Sequence, residues 1–143
     1  ALFDLFNEIG IINQLTTARL EDVLPDGLIA PHFTVLNHLT RVGEGTTPQR
    51  MARAFQVPKT SLTHTLHGLE KRGLIEMRPN PADGRSKTVW LTEAGRSLRT
   101  ETITKLIASS QELMAKLDLE LLAQIKPVLT ELRIILDAAR DPK

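Results

Sequence analysis

Lys59, Thr60, Ser61, Thr63 and His64 place donors and acceptors at five of six consecutive positions, with no carboxylate among them. Leu62, Leu66 and Leu69 run through the same stretch at i, i+4 and i+7, so a helix there buries one narrow face and leaves the short polar groups outside. A merely solvated face would carry more Lys and Glu, whereas an element that must lie close to base edges wants short hydroxyls and imidazoles. Thr60 and Ser61, near the start of such a helix, suit a phosphate as readily as a base. For each of these groups the plainer alternative is a solvated side chain. A second cluster follows in Pro79-Asn80-Pro81-Ala82-Asp83-Gly84-Arg85-Ser86-Lys87, a breaker-rich loop with two bases at its tip. An arginine on an exposed tip meets concentrated negative potential if it enters a narrow minor groove.

Other chemistries find less support. His64 and His67 sit at i, i+3 and could share a metal, but no Asp, Glu or Cys completes a ligand set, and His32 and His38 lie six positions apart. No Ser-His-Asp order stands in a nucleophile-elbow context and no glycine-rich phosphate loop occurs, so an enzyme is not expected. No cysteine is present, which removes disulfides, Cys-based zinc sites and thiol redox sensing. No apolar run approaches the ~20 residues that span a bilayer. A cytoplasmic protein that needs no cofactor and no membrane fits this profile.

The elements that must hold these residues follow from punctuation and period. Thr47 suits an N-cap and Pro48 a first helical turn, giving a short helix that ends before Gln56-Val57-Pro58. The Leu62-Leu66-Leu69 helix comes next and closes at Gly73, where a left-handed residue is expected. Ile75–Arg78 and Thr88–Leu91 alternate as two strands joined by the charged loop. Helix, turn, helix and basic-tipped ribbon compose a winged helix-turn-helix. Before it, residues 2–24 read as one amphipathic helix stopped by Pro25-Asp26-Gly27. A second helix follows Pro31, with Ala30 as a poor cap and Phe33, Leu36 and Leu39 inward. After it, Thr92 caps a long helix reaching Leu117, and Asp118 caps a last one with Pro127 inside it.

At 143 residues the chain is one domain by size, with 41% hydrophobic and 24% charged residues. Its net charge of +1 conceals an asymmetry: residues 46–99 carry ten bases and four acids, net +6, and the remainder is −5. The cationic share falls on the winged segment, where a polyanion would release counterions on binding. The long first and last helices carry wide apolar stripes that one winged domain cannot cover. Pairing with a twofold copy would cover them and argues for a homodimer; the alternative is a monomeric bundle.

The segments Leu69-Glu70-Lys71-Arg72-Gly73-Leu74-Ile75 and Asp83-Gly84-Arg85-Ser86-Lys87-Thr88-Val89-Trp90-Leu91-Thr92-Glu93-Ala94-Gly95 resemble the MarR family of bacterial transcriptional regulators. The resemblance implies a mainly α fold with a small two-stranded β wing. Residues 31–95 would form the winged helix-turn-helix lobe, and residues 1–30 and 96–143 dimerisation helices interlocking across a dyad. It implies a homodimeric repressor that reads a pseudo-palindromic operator in double-stranded DNA. Lys59, Thr60, Ser61, Thr63 and His64 would face the major groove and Arg85, Ser86 and Lys87 the wing contacts, with Arg85 in the minor groove and Asp83 bracing it. Many family members carry Arg where this chain has His64, so the guanine contact an arginine would make is absent. A small aromatic or anionic effector would enter a cleft near Asn13, Arg19 and His32. A winged-helix module that binds protein rather than specific DNA is the competing function.

Overall fold

The structure, a computed structural model, describes residues 1–140. Among them, α1 (Leu2–Val23), α2 (Ala30–Arg41), α3 (Pro48–Phe55), α4 (Lys59–Lys71), β1 (Ile75–Pro79), β2 (Lys87–Leu91), α5 (Glu93–Ser109), α6 (Gln111–Ala115) and α7 (Leu119–Arg140) follow in chain order. The chain divides into two compact units, Ala1–Ala108 and a second beginning at Ser109. The first unit holds a mainly α winged helix-turn-helix whose wing is a two-stranded antiparallel sheet.

Local chemistry accounts for most boundaries. α1 stops where Leu24 turns extended (φ −79, ψ 150), the conformation that the following Pro25 imposes on its predecessor. The expectation that Ala30 caps α2 is corrected: Ile29 takes the cap position and Ala30 is already helical. The donors are satisfied from further away, since the Ala30 N–H donates to Glu21 Oε2 at 2.7 Å and the Ile29 N–H to His32 Nδ1 at 2.9 Å. A cap lent by the preceding helix replaces the Ser or Thr that the position lacks. α3 opens on Thr47, whose Oγ1 accepts from the Arg50 N–H at 3.3 Å, and closes on Gln56 in the left-handed region (φ 60).

α4 drives Leu62, Leu66 and Leu69 into a core shared with Val35, Leu36 and Leu39 of α2, Met51 of α3, and Ile75, Val89 and Leu91 of the wing. Gly73 follows at φ +73 and starts the chain toward β1. The strands pair Ile75 with Leu91, Met77 with Val89 and Pro79 with Lys87. That register turns Ile75, Val89 and Leu91 inward and leaves Glu76, Arg78 and Trp90 on the other face. A bridge between Thr46 and Val89 fastens the α2–α3 loop to the wing. Thr92 Oγ1 accepts from the Gly95 N–H at 3.1 Å and donates to the Gly73 carbonyl at 2.6 Å, so it starts α5 and holds the turn after α4.

The long helix expected from Thr92 to Leu117 is in fact interrupted. α5 ends at Ser109, Ser110 leaves helical geometry (φ −105, ψ 5), and a five-residue α6 follows. Two adjacent serines offer the backbone competing hydrogen bonds, which a purely apolar period does not register. In the second unit Asp118 Oδ1 accepts from the Leu121 N–H at 3.1 Å and opens α7, which runs on through Pro127. Neither α1 nor α7 contains a buried residue.

Candidate nucleic-acid interface

The wing tip is built by short-range hydrogen bonds. The Asn80 N–H donates to the Ser86 carbonyl at 3.2 Å, the Asp83 N–H to the Asn80 carbonyl at 3.2 Å, and the Ser86 N–H to the Asp83 carbonyl at 3.1 Å. Side chains reinforce this turn: Asn80 Nδ2 donates to Ser86 Oγ at 2.8 Å, and Asn80 Oδ1 accepts from the Ala82 N–H at 3.0 Å. Asp83 Oδ1 accepts the Arg85 N–H at 3.0 Å and lies 3.5 Å from Arg85 Nε. The Arg85 side chain is 95% exposed, so the turn orients its root while the guanidinium projects into solvent. An exposed ion pair of this kind contributes little to stability, and its consequence is orientation.

Lys59 and Thr63 on α4 meet this tip across a concavity of about 360 Å³. Asp83, Arg85, Ser86 and Lys87 line it from the wing, and Thr47, Pro48 and Gln49 from the start of α3. Three cations, Lys59, Arg85 and Lys87, therefore face one hollow beside a helix N-terminus, against the single carboxylate of Asp83. This electrostatic arrangement suits a phosphate backbone.

Not every sequence-selected residue gathers there. Thr60 and His64 are exposed on α4 but do not line this hollow, and Ser61 lines another one. That second hollow, about 310 Å³, is largely apolar and lies among Ala30, Pro31, Thr34, Phe55, Val57, Leu62 and Thr65. Thr63 Oγ1 donates to the Lys59 carbonyl at 2.9 Å and keeps acceptor capacity for an outside donor. Sequence reasoning missed Gln49 and Asn80 as parts of the site. Asn80, two residues before an amide it captures, had a legible Asx-turn signal; Gln49 had none, because only the tertiary fold brings α3 to the wing.

Asn13 and Arg19 belong to α1 and His32 to the first turn of α2. Asn13 and Arg19 lie six positions apart on α1, about 120° around the helix. His32 is half-buried with Nδ1 accepting from Ile29, and a Cβ on Gly68 of α4 would come within 3.2 Å of its Nε2. Burial, then the charges of Arg72 and His64, push its pKa below the usual imidazole range. The described residues hold no group of three His, Cys, Asp or Glu placed to bind a metal, and none of their helices is long and apolar enough to cross a membrane.

A helix-turn-helix followed by a ribbon whose basic tip shares a hollow with the second helix defines a winged-helix DNA-binding protein. The model of the MarR family matches residues 26–86. The transcriptional regulator HosA of Escherichia coli O111:H- is 31% identical over 98 residues, spanning 68% of this chain and 71% of HosA. A cysteine-to-serine mutant of MarR from E. coli, solved with operator DNA, superposes with a TM-score of 0.77 at 27% identity and covers 92% of this chain and 94% of MarR. BpsR of Bordetella bronchiseptica, whose DNA binding is regulated by 6-hydroxynicotinic acid, shares the fold with a TM-score of 0.77 at 23% identity, over 91% of this chain and 98% of BpsR. The chain belongs to the MarR family of transcriptional regulators.

Proposed function

We propose that the protein is a homodimeric repressor that reads a pseudo-palindromic operator. The observation that carries this is the cationic hollow in which Lys59 and Thr63 of α4 oppose Arg85 and Lys87 of the wing. In this reading α4 enters the major groove, with Lys59, Thr60, Ser61, Thr63 and His64 toward bases and phosphates. The wing lays Arg85 in the adjoining minor groove, flanked by Ser86 and Lys87 and oriented by Asp83. Residues 31–95 are the reading lobe, and residues 1–30 and 96–143 supply the pairing helices. The pairing is supported by apolar side chains left bare in one copy, including Phe3, Ile12 and Leu15 on α1 and Leu122, Leu129 and Ile135 on α7, all at least 42% exposed. An exposed apolar stripe this long is the mark of an interface.

A small aromatic or anionic effector completes the reading. BpsR responds to 6-hydroxynicotinic acid, and Arg19, Asn13 and His32 are the polar groups of α1 and α2 that would meet such a molecule. Repeated selection of bound duplexes from a random pool tests the whole proposal. The expected product is a twofold-symmetric motif with half-sites about 10 bp apart, one helical turn. Enrichment of no motif, or of an asymmetric single site, would overturn it.

A further inference from the structure

The chain's single tryptophan, Trp90, stands on the outward face of β2, directly opposite Glu76. It is half-buried and takes no part in the core beneath the wing, which Ile75, Val89 and Leu91 fill from the other face. Nevertheless it is held from several directions. The guanidinium carbon of Arg78 lies 4.3 Å from the ring centroid, within cation–π range. Glu76 Oε1 sits 3.2 Å from Arg78 Nε and steadies that guanidinium. Gly45, at φ +86, brings bare backbone against the indole: a Cβ there would stand 3.0 Å from the ring. Trp90 Nε1 donates to Thr88 Oγ1 at 2.8 Å, and Thr88 donates to the Arg78 carbonyl at 3.3 Å.

The glycine against the ring belongs to the loop that launches α3, and that loop is fastened to the wing by further bonds. The Gly45 N–H donates to the Val89 carbonyl at 2.8 Å, and the Val89 N–H to the Thr46 carbonyl at 2.9 Å. Glu44 Oε1 accepts the Leu91 N–H at 2.9 Å while Oε2 accepts from Arg96 at 2.7 Å. Thr46 leads directly into Thr47, Pro48 and Gln49, which line the hollow that Arg85 also lines. A two-stranded ribbon is soft about its root on its own. Here the indole fills the angle between ribbon and loop.

We propose that Trp90 is a positioning residue for DNA binding, wedged between Arg78 and Gly45 so that the wing tip and the start of α3 meet the duplex as one rigid piece. This rests on the reading in which Arg85 contacts DNA. It follows that Trp90 acts through Arg85: once the guanidinium is gone, the wedge has nothing left to aim.

The test is a double-mutant cycle on the full chain, read as Kd for a selected operator at fixed salt, with thermal melts confirming that each variant is folded. Trp90→Leu is expected to weaken binding about tenfold in the parent protein and less than about twofold beside Arg85→Ala. A Trp90→Leu loss that persists in full beside Arg85→Ala overturns the proposal, because the indole would then act on DNA or on the fold independently. Parent-like binding by Trp90→Leu, with Arg85→Ala weakened, overturns it while leaving the wing reading intact. Parent-like binding by Arg85→Ala overturns the wing reading itself. If Trp90→Leu melts too low to assay, Arg78→Gln uncovers the ring without touching the core. It must show the same loss of effect beside Arg85→Ala, and an undiminished loss overturns the proposal.

Discussion

Arg85 and His32 illustrate how differently two polar side chains are used in this fold. Arg85 is anchored through its backbone N–H and Nε to Asp83 and otherwise projects into solvent. Arg85→Ala should therefore weaken operator binding by ~1–3 kcal/mol and leave the melting temperature unchanged, as gel-shift titration and a thermal melt would check. His32 is held by its surroundings. Its Nδ1 can accept the Ile29 N–H only while unprotonated, and burial together with Arg72 and His64 lowers its pKa. His38, packed edge-on against Phe55 at 4.9 Å, is lowered by burial and then by Arg41. Below an imidazole's usual pKa of about 6.5 the unfolded chain binds these protons more readily than the folded one. Their stabilisation is present above that pH and is lost as pH falls through the folded values. Melting temperature should drop between pH 7 and pH 5.5, and His32→Gln, which keeps an acceptor but cannot take the proton, should flatten the decline. A wild-type melt independent of pH in that window would contradict it.

The helices are fixed by what they bury and where they are stopped. Leu66 is 3% exposed on the inner face of α4. Leu66→Asp puts a carboxylate among Leu36, Met51 and Val89 and should unfold the first unit, a loss above about 3 kcal/mol. An unshifted melt for that variant would mean the inward face is misassigned. Gly95 is a subtler stop. It sits in the first turn of α5 against the backbone of Leu74, and a Cβ there would collide with the Leu74 carbonyl oxygen. The Leu91 side chain beside it could shift, but the Leu74 carbonyl is backbone and cannot, so Gly95→Ala should cost about 1–3 kcal/mol in a denaturant titration, even though alanine is the better helix former. The break at Ser110 belongs to the same account, because two adjacent serines are poor residues for a helix interior that the apolar period alone would have continued.

The molecule as a whole carries more apolar surface than one copy can hide. Phe3 is 81% exposed and Ile12 and Leu15 exceed half, yet α1 runs without a buried residue. Under the homodimer proposal, the paired variant Ile12→Asp, Leu15→Asp should sediment as a monomer. Its operator affinity should fall by at least about tenfold, because two linked half-site contacts become one. Sedimentation of the parent protein as a monomer at micromolar concentration would remove the dimer proposal altogether. The charge asymmetry acts at this level too: the +6 segment should make operator affinity fall steeply with salt.

Much of this architecture was readable along the chain. Leucines at i, i+4, i+7, the caps Thr47, Thr92 and Asp118, left-handed Gly73 and the Asp-Gly tip each act over a few residues, so their physics is local and appears in order. What the tertiary structure alone decided involves residues far apart in sequence: Glu21 capping Ala30, Gln49 facing the wing, Gly45 seating Trp90, and Gly95 abutting Leu74. Such contacts depend on how finished elements pack, and residue types and spacing along one chain do not encode the distance between two packed surfaces.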